Sequence, residues 1–284
     1  MSITGINGIL EKALAGRWIA GEKIEDALET TERMNLRNTG SIINYLGESI
    51  TDKKKSNEAL EKYIELISAI NKKKLKASIA VKPTQIGLSI DWKTASANYS
   101  KIVSHARKKN VFVWMDMEES IYTERSIALY LNGVRNGNTG ICIQSYLRRS
   151  LRDVRSLLEE GSTIRLVKGA YKEDSSSAFP TRAEATANFA SIMSLLFKNS
   201  ERFMVATHDK DLIEKAIKMS KKSEAEISFG MLNGIMNGYA YELAKNHDVY
   251  LYLPFGKEWV AYGYRRLKEL RNSILIARSL FSKQ

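Results

Sequence analysis

The sequence has very few of the residues that carry disulfide and metal chemistry. Its 284 residues include a single cysteine, Cys142, so no internal disulfide can form. The histidines His105, His208 and His247 stand far apart and form neither an HxH nor an HExxH pattern. These spacings are the usual signatures of metal-dependent hydrolases, so we expect no metal site.

Long apolar runs and prolines are also scarce. No run approaches the ~20 apolar residues that span a bilayer, and the N-terminal segment lacks a basic stretch followed by a long apolar one. We therefore expect a cytoplasmic protein, and peripheral association with the inner face of the membrane stays open. Pro83 and Pro254 stand where strand-like runs end, and none of the 3 prolines interrupts a helix-like segment.

The charge balance is strongly basic. There are 44 Lys and Arg against 32 Asp and Glu, a net charge of +12, which can attract nucleic acid or an anionic membrane surface. The lysines form short clusters beside helix-like stretches, at 53–55, 72–74, 108–109 and 221–222, and cations stabilise helix C-termini. Because nucleic-acid-binding motifs are absent, we expect no nucleic-acid partner.

Short β-rich runs alternate with longer segments of helical period, which is typical of parallel strands joined by helices. The runs lie at 76–84, 111–117, 139–146, 163–171, 202–209, 225–232 and 248–256, with a weaker one at 40–48. Several are apolar almost throughout, as strands covered on both faces are. The length suits one barrel of ~250 residues. We predict an α/β fold, a (βα)8 TIM-type barrel over 39–284 preceded by a helical segment over 1–38.

Polar residues stand at the predicted carboxyl ends of the strands, where barrels of this kind carry their chemistry. They are Lys82, Asp116, Glu118, Gln144, Tyr146, Lys168, Tyr171, Thr207, His208, Asp209 and Tyr252. Any one of them alone is explained by a long side chain that reaches water. Together they predict a site at this end of the barrel.

The last helical segment gives an independent signal. Tyr262, Arg265, Arg266 and Glu269 are spaced i, i+3, i+4 and i+7, so they share one helix face. Two guanidinium groups on one face can bind a carboxylate through paired hydrogen bonds, with the glutamate holding one of them in place. Composition alone also allows an ordinary solvated face.

These segments resemble the proline dehydrogenase family. The match covers nearly the whole chain and keeps the family's order, with RLVKGAY as its strongest segment, followed by AVKPTQIGL, WMDMEES, QSYLRR, VATHD, YLPFG and YGYRRLKE. The resemblance implies a distorted (βα)8 barrel that binds FAD without a GxGxxG fingerprint, a motif that this sequence lacks. It also implies FAD-dependent oxidation of L-proline to 1-pyrroline-5-carboxylate. In that reaction a hydride passes from proline C5 to flavin N5, and a quinone or another redox carrier then accepts the electrons.

The resemblance also implies roles for individual residues. Cofactor contacts would fall on Gln144, Arg165, Val167, Lys168, Gly169, Tyr171, Thr207, His208 and Asp209. The proline site would comprise Lys82, Tyr252, Tyr262, Arg265, Arg266 and Glu269. The catalytic group would be Lys82, Asp116, Arg265 and Arg266. Whether the protein is an oligomer stays open.

Several positions depart from the family pattern. Asp209 replaces the usual asparagine, and Ser228 and Gly230 stand where the family usually has glutamate and glutamine. Lys172 follows GAY where the family often has tryptophan. Because an ionised aspartate is unfavourable near cofactor phosphates and a stacking contact is missing, these departures predict weaker retention of FAD.

Two other functions are compatible with the residues. A Schiff-base lyase could use Lys168 or Lys82 as a nucleophile if its pKa were lowered, and trapping with borohydride and a keto substrate would reveal it. A basic interaction protein without catalysis could use the same fold as a scaffold. Such a protein would be colourless and would show no flavin spectrum.

Overall fold

A closed barrel of parallel strands forms the centre of the molecule. The computed structural model describes residues 17–134, 138–259 and 262–263. The strands pair in sequence order, the last strand pairs with the first, and every pair is parallel. The strands are β1 (Gly40–Tyr45), β2 (Ala77–Val81), β3 (Phe112–Met115), β4 (Thr139–Gln144), β5 (Thr163–Val167), β6 (Arg202–Ala206), β7 (Glu226–Leu232) and β8 (Asp248–Phe255). The predicted fold class is confirmed.

Helices join the strands, one between each consecutive pair. The helix before the barrel is α1 (Ile24–Asn35). The others are α2 (Lys53–Lys73), α3 (Trp92–Lys108), α4 (Thr123–Val134), α5 (Ser150–Glu159), α6 (Arg182–Asn199), α7 (Lys210–Ser220) and α8 (Asn237–Leu243). Among the residues of this structure, none of the helices has the length and apolar character needed to cross a bilayer. The predicted division into 1–38 and 39–284 stays a prediction, since residues 1–16 lie outside the described ones.

Two hydrophobic clusters follow from the alternation of side chains along the strands. The larger cluster lies between the strands and the helices. The smaller one joins Ile42, Ala80, Trp114 and Met204, which come from different sides of the closed sheet, so it lies inside the barrel. The partly buried rings of Tyr250 and Tyr252 extend it. Because successive residues of a strand point to opposite faces, residues two positions further along these strands also face the interior.

Helix starts carry polar caps at the end of the barrel where the strands finish. Asp52 accepts a hydrogen bond from Lys54 N at 2.7 Å before α2, and Asp91 accepts one from Thr94 N at 2.7 Å before α3. Thr181 and Glu184 form a reciprocal capping box at the start of α6. Such caps satisfy backbone N–H groups that have no partner within the helix. The caps therefore hold the loops between the strand ends and the helix starts, which surround the candidate site.

Candidate active site

A buried ion pair crosses the barrel interior. Arg165 Nη2 donates to Asp116 Oδ1, and the two side chains are 5% and 8% exposed. Asp116 follows β3 and Arg165 lies on β5, two residues before that strand ends. Tyr252 on β8 donates its hydroxyl to Asp116 Oδ2 at 2.6 Å. Both carboxylate oxygens are therefore engaged, and the aspartate holds the arginine and the tyrosine in fixed orientations.

The Arg165 guanidinium lies between two aromatic rings. Its Cζ atom is 5.5 Å from the centroid of the Trp114 ring and 5.4 Å from that of Tyr252. Within the described residues, its Nε and Nη1 atoms are buried without an oxygen or nitrogen acceptor, and the buried Cys142 thiol beside this side chain is only a weak acceptor. Leaving a buried N–H group unpaired costs free energy, so these atoms point to a polar ligand that accepts hydrogen bonds here.

Lys82 is a cation at the end of β2. Its Nζ lies 3.3 Å from the Tyr171 hydroxyl and 3.4 Å from Glu48 Oε2. Burial by itself lowers the pKa of Lys82, but the phenols and carboxylates around it raise that pKa well above its ordinary value overall. A Schiff-base nucleophile needs a lowered pKa. The surroundings of Lys82 therefore count against the lyase alternative at this residue.

Glu118 ties two strand ends together. Its carboxylate accepts hydrogen bonds from Thr84 N at 2.9 Å and Thr84 Oγ1 at 2.7 Å. Burial raises the pKa of Glu118 above its usual value. The backbone carbonyl of Glu118 accepts a hydrogen bond from Gln144 Nε2 at 2.8 Å. The amide orientation of Gln144 is thereby fixed, and its buried Oε1 has no partner in the part of the chain that the structure describes.

The segment after β5 folds back over the end of β4. Tyr146 N donates to Lys168 O at 2.9 Å, and Phe179 N donates to Tyr146 O at 2.8 Å. Between these contacts Gly169 has φ +113°, and a Cβ there would lie 2.0 Å from the Tyr146 ring. Only glycine fits such a position. The resemblance gave Gly169 a place near the cofactor, and the structure adds the Tyr146 ring as an immediate reason for glycine.

A second ion pair lies at the rim of the barrel. Lys168 Nζ donates to Asp209 Oδ2 at 2.7 Å and to Thr186 Oγ1 at 3.0 Å. The side chains of Lys168 and Asp209 are 30% and 28% exposed. The other carboxylate oxygen of Asp209 caps α7, accepting from Asp211 N at 3.2 Å and Leu212 N at 3.4 Å.

The residues next to Asp209 also have defined partners. Thr207 is buried, and its Oγ1 accepts a hydrogen bond from Asp209 N at 3.1 Å. His208 Nε2 accepts from Leu232 N at 3.0 Å. Val167, the last residue of β5, is half-buried.

The predicted carboxylate-binding face lies mostly beyond the described residues. Tyr262 is 9% exposed and packs in the larger hydrophobic cluster. Its backbone N–H bonds Glu258 O at 3.4 Å, as in a helix. Arg265, Arg266 and Glu269 lie outside the described residues, so their roles stay predictions.

Two side chains near this end of the barrel were not among the predicted site residues. Asn44 is 1% exposed and donates to Ala80 O at 3.0 Å, while its Oδ1 has no partner among the residues described. Glu48 lies 3.4 Å from Lys82 Nζ. Both belong to the weak first run. A polar residue two positions beyond Ile42, and hence inward-facing, is the signal that could have identified Asn44.

Comparison with known proteins finds relatives along most of the chain. The family model for proline dehydrogenase matches residues 27–274. Proline dehydrogenase 1 of Bacillus subtilis strain 168 is 32% identical over 275 residues, which cover 95% of this chain and 91% of that protein. Proline dehydrogenase of Deinococcus radiodurans is 29% identical over 278 residues, or 94% of this chain and 90% of that protein.

Solved structures share the fold. Proline utilization A (PutA) from Bdellovibrio bacteriovorus, inactivated by N-propargylglycine, superposes with a TM-score of 0.88 at 23% identity, covering 98% of this chain and 35% of that chain. PutA from Corynebacterium freiburgense gives a TM-score of 0.79 at 20% identity, covering 97% of this chain and 33% of that chain. This chain therefore spans only about a third of the length of those proteins. The family match and the identity to the Bacillus protein show that the chain belongs to the proline dehydrogenase family, a family of flavin-dependent oxidoreductases.

Proposed function

We propose that this proline dehydrogenase uses FAD to oxidise L-proline to 1-pyrroline-5-carboxylate. The observation that carries the proposal is the buried network of Asp116, Arg165 and Tyr252 inside the barrel, with Arg165 N–H groups that lack an oxygen or nitrogen acceptor among the described residues, in a chain of this family. When bound, the flavin accepts at N5 the hydride that leaves C5 of proline, and a quinone or another redox carrier takes the electrons onward.

The donors and acceptors present fit a flavin. Arg165 offers buried N–H groups without an oxygen or nitrogen acceptor, and Gln144 offers a buried carbonyl oxygen without a partner, each counted over the described residues. A flavin ring carries carbonyl and nitrogen acceptors as well as an imide N–H donor, so it can pair with both. We assign contacts with the cofactor to Gln144, Arg165, Val167, Lys168, Gly169, Tyr171, Thr207 and His208. Asp209 lies beside them, paired with Lys168.

Lys82 has an electrostatic role towards the substrate. Its ammonium group remains charged, because the surrounding phenols and carboxylates raise its pKa even though burial lowers it. A nearby positive charge disfavours protonation of a second amine. A proline bound beside Lys82 therefore reacts more readily in the neutral amine form, which is the form that can lose a hydride from C5.

The remaining residues position the substrate. Tyr252 presents an aromatic face while its hydroxyl is fixed on Asp116, so the ring can flank the apolar part of proline. Arg265 and Arg266, with Tyr262 and Glu269 on the same face by helical spacing, are assigned to the substrate carboxylate. Holding the carboxylate fixes the distance between the reacting carbon and the cofactor.

An absorbance spectrum tests this function directly. The purified protein, supplemented with FAD where needed, should show a flavin band that bleaches on anaerobic addition of L-proline and not on addition of D-proline. Chromatography of the released cofactor distinguishes FAD from FMN. A protein that binds no flavin, or a bound flavin that L-proline does not reduce, would contradict the proposal.

The arginine pair is tested by substitution. Arg265→Met or Arg266→Met should weaken proline binding by roughly 2–5 kcal/mol, because the substrate carboxylate loses a buried charge partner. Arg271→Met is the matched control, since helical spacing places Arg271 on the opposite side of the helix from that face. The measurement is the proline concentration that half-reduces the flavin under anaerobic conditions. An unchanged value in both arginine variants would refute the assignment.

If the electron acceptor is a quinone, the enzyme has to reach the membrane that contains it. A cytoplasmic enzyme that passes electrons to a membrane quinone must contact the inner face of the membrane. Co-sedimentation with anionic vesicles, with and without L-proline, tests this contact, and the mass of the particle in solution determines whether the enzyme is an oligomer. Failure to sediment would favour a soluble redox carrier as the acceptor.

A further inference from the structure

The Asp209 carboxylate binds both the Lys168 ammonium and the first backbone N–H groups of α7, two kinds of group that attract anions. One carboxylate oxygen lies 2.7 Å from Lys168 Nζ. The other accepts the first backbone N–H groups of α7, from Asp211 and Leu212. An ammonium group and a helix N-terminus together favour phosphate and other anions. In this chain both are bound to the protein's own carboxylate.

The carboxylate of Asp209 is ionised at neutral pH. Burial raises the pKa of Asp209, but the hydrogen bond and charge of Lys168, together with the α7 N–H groups, lower that pKa overall below its ordinary value of 3.8. The pair with Lys168 therefore carries no net charge. A phosphate group that approaches Lys168 also meets the negative charge of Asp209, because Asp209 Oδ2 lies 2.7 Å from Lys168 Nζ.

The pair is exposed enough to exchange partners. About a third of each side chain is accessible, at 30% for Lys168 and 28% for Asp209. Exposed ion pairs are weak because water and salt screen them. Thr186 Oγ1, 3.0 Å from Lys168 Nζ, holds the ammonium at this position independently of Asp209. Lys168 can thus leave the aspartate without losing its place at the end of β5.

We propose that Asp209 is an intramolecular competitor for the phosphate groups of FAD, so that it sets how tightly this enzyme retains its cofactor. The inference rests on the proposed function, which places FAD beside Lys168. While Asp209 is paired, the phosphates gain little from Lys168 or from the start of α7. FAD is then held mainly through its ring, and it exchanges with free cofactor.

The test compares flavins with and without phosphate. Dissociation constants of FAD and riboflavin are measured by titration of apoprotein at low salt, for the natural chain and for Asp209→Asn. Asparagine keeps the helix cap, because its amide oxygen also accepts from backbone N–H groups. We expect FAD to bind roughly fivefold more tightly to the variant, riboflavin to bind equally to both, and the FAD difference to shrink as salt is added.

Asp211→Asn is the matched control. It removes the same charge from the same end of α7, at a residue whose side chain is not paired with Lys168 in the described structure. Its affinity for FAD should change much less. An unchanged or weaker FAD affinity in Asp209→Asn would overturn the proposal, and so would equal tightening of riboflavin or an equal effect of Asp211→Asn.

The experiment separates this inference from the proposed function. If the natural chain binds FAD and Asp209→Asn has no effect, the function stands and the inference fails. If no variant binds any flavin, the function fails, and inorganic pyrophosphate tests Asp209 by thermal denaturation. Pyrophosphate should then raise the melting temperature of Asp209→Asn more than that of the natural chain, and equal shifts would refute the competition.

Discussion

Two ion pairs, one on β5 and one directly after it, each join a cation to an aspartate in different surroundings. Arg165 and Asp116 meet inside the barrel with 5% and 8% of their side chains exposed, whereas Lys168 and Asp209 meet at the rim with 30% and 28% exposed. Only two residues separate Arg165 from Lys168 in the sequence. The chain therefore passes from the barrel interior to the partly exposed rim within three residues.

Burial decides what each pair can do. Removing one partner of a buried pair leaves an uncompensated charge in a medium that solvates it poorly, so the pair is permanent. Water and ions replace the partner of an exposed pair at little cost, so that pair can exchange. On the proposed function, the interior pair orients side chains of the site, and the rim pair weakens the binding of the cofactor's phosphate groups.

The largest expected effect is on the interior pair. Asp116→Leu should lower the free energy of unfolding by about 3–5 kcal/mol, because Arg165 stays buried without a counter-charge. Urea unfolding of the apoprotein measures it. The double variant Asp116→Leu with Arg165→Met should recover much of the loss, since apolar replacements of a buried pair are often neutral. If Asp116→Leu alone lowers the free energy of unfolding by less than about 1 kcal/mol, the interior pair contributes no more to stability than an exposed pair does.

Tyr252 sharpens the same contrast. Tyr252→Phe removes the hydroxyl that donates to Asp116 at 2.6 Å, so the variant should lose about 1.5–3 kcal/mol, as for hydrogen bonds to charged groups. Tyr250→Phe removes a hydroxyl towards the other end of the same strand, where its carboxylate partner Asp248 is exposed to water, and should cost less. Equal losses in urea unfolding would mean that the bond to Asp116 has no special strength.

Gly169 tests the segment that directly follows Lys168. Gly169→Ala should destabilise the protein by about 1–3 kcal/mol, since a side chain at φ +113° is strained and also meets the Tyr146 ring. Gly161→Ala is the control, because Gly161 has φ +68° and nothing within 4 Å of its missing Cβ. If both variants lose a comparable amount of thermal stability, the clash with the Tyr146 ring adds nothing to the cost of the Gly169→Ala change.

The smallest effect concerns the rim pair and pH. Because the pKa of Asp209 is lowered on folding, the pair stabilises the protein above the ordinary value of 3.8 and loses that contribution as pH falls through the lower, folded-state pKa. Asp209→Asn should therefore cost at most about 1 kcal/mol at neutral pH, and this cost should shrink as the pH falls below 3.8. Urea unfolding at neutral pH and at a series of values below 3.8 measures it, and a cost that grows with acidity would contradict the prediction.

The strands were predicted well and their ends less well. The run at 163–171 contains β5, which ends at Val167. Beyond Val167 the backbone pairs with a loop and no longer with a strand: Lys168 O accepts a hydrogen bond from Tyr146 N at 2.9 Å. Apolar continuity marks a buried strand, but it does not show where a neighbouring loop replaces a neighbouring strand as the hydrogen-bond partner.

The site was predicted as separate residues. Arg165 was assigned to the cofactor, while Asp116 and Tyr252 were assigned to catalysis and substrate. The structure joins the three through one carboxylate, a contact that depends on closure of the barrel between β8 and β1. Spacing along the chain carries no information about partners 49 and 136 residues apart.

Local periodicity and short segments of the chain specify the alternation of strands and helices, the family, and the polar residues at strand ends. Which of those residues are buried together, and which are exposed to solvent, depends on how the closed barrel places them. Asp116 and Asp209 both follow strands, and they pair with Arg165 on β5 and with Lys168 directly after it. Their difference arises from position relative to the barrel interior, which no local pattern records.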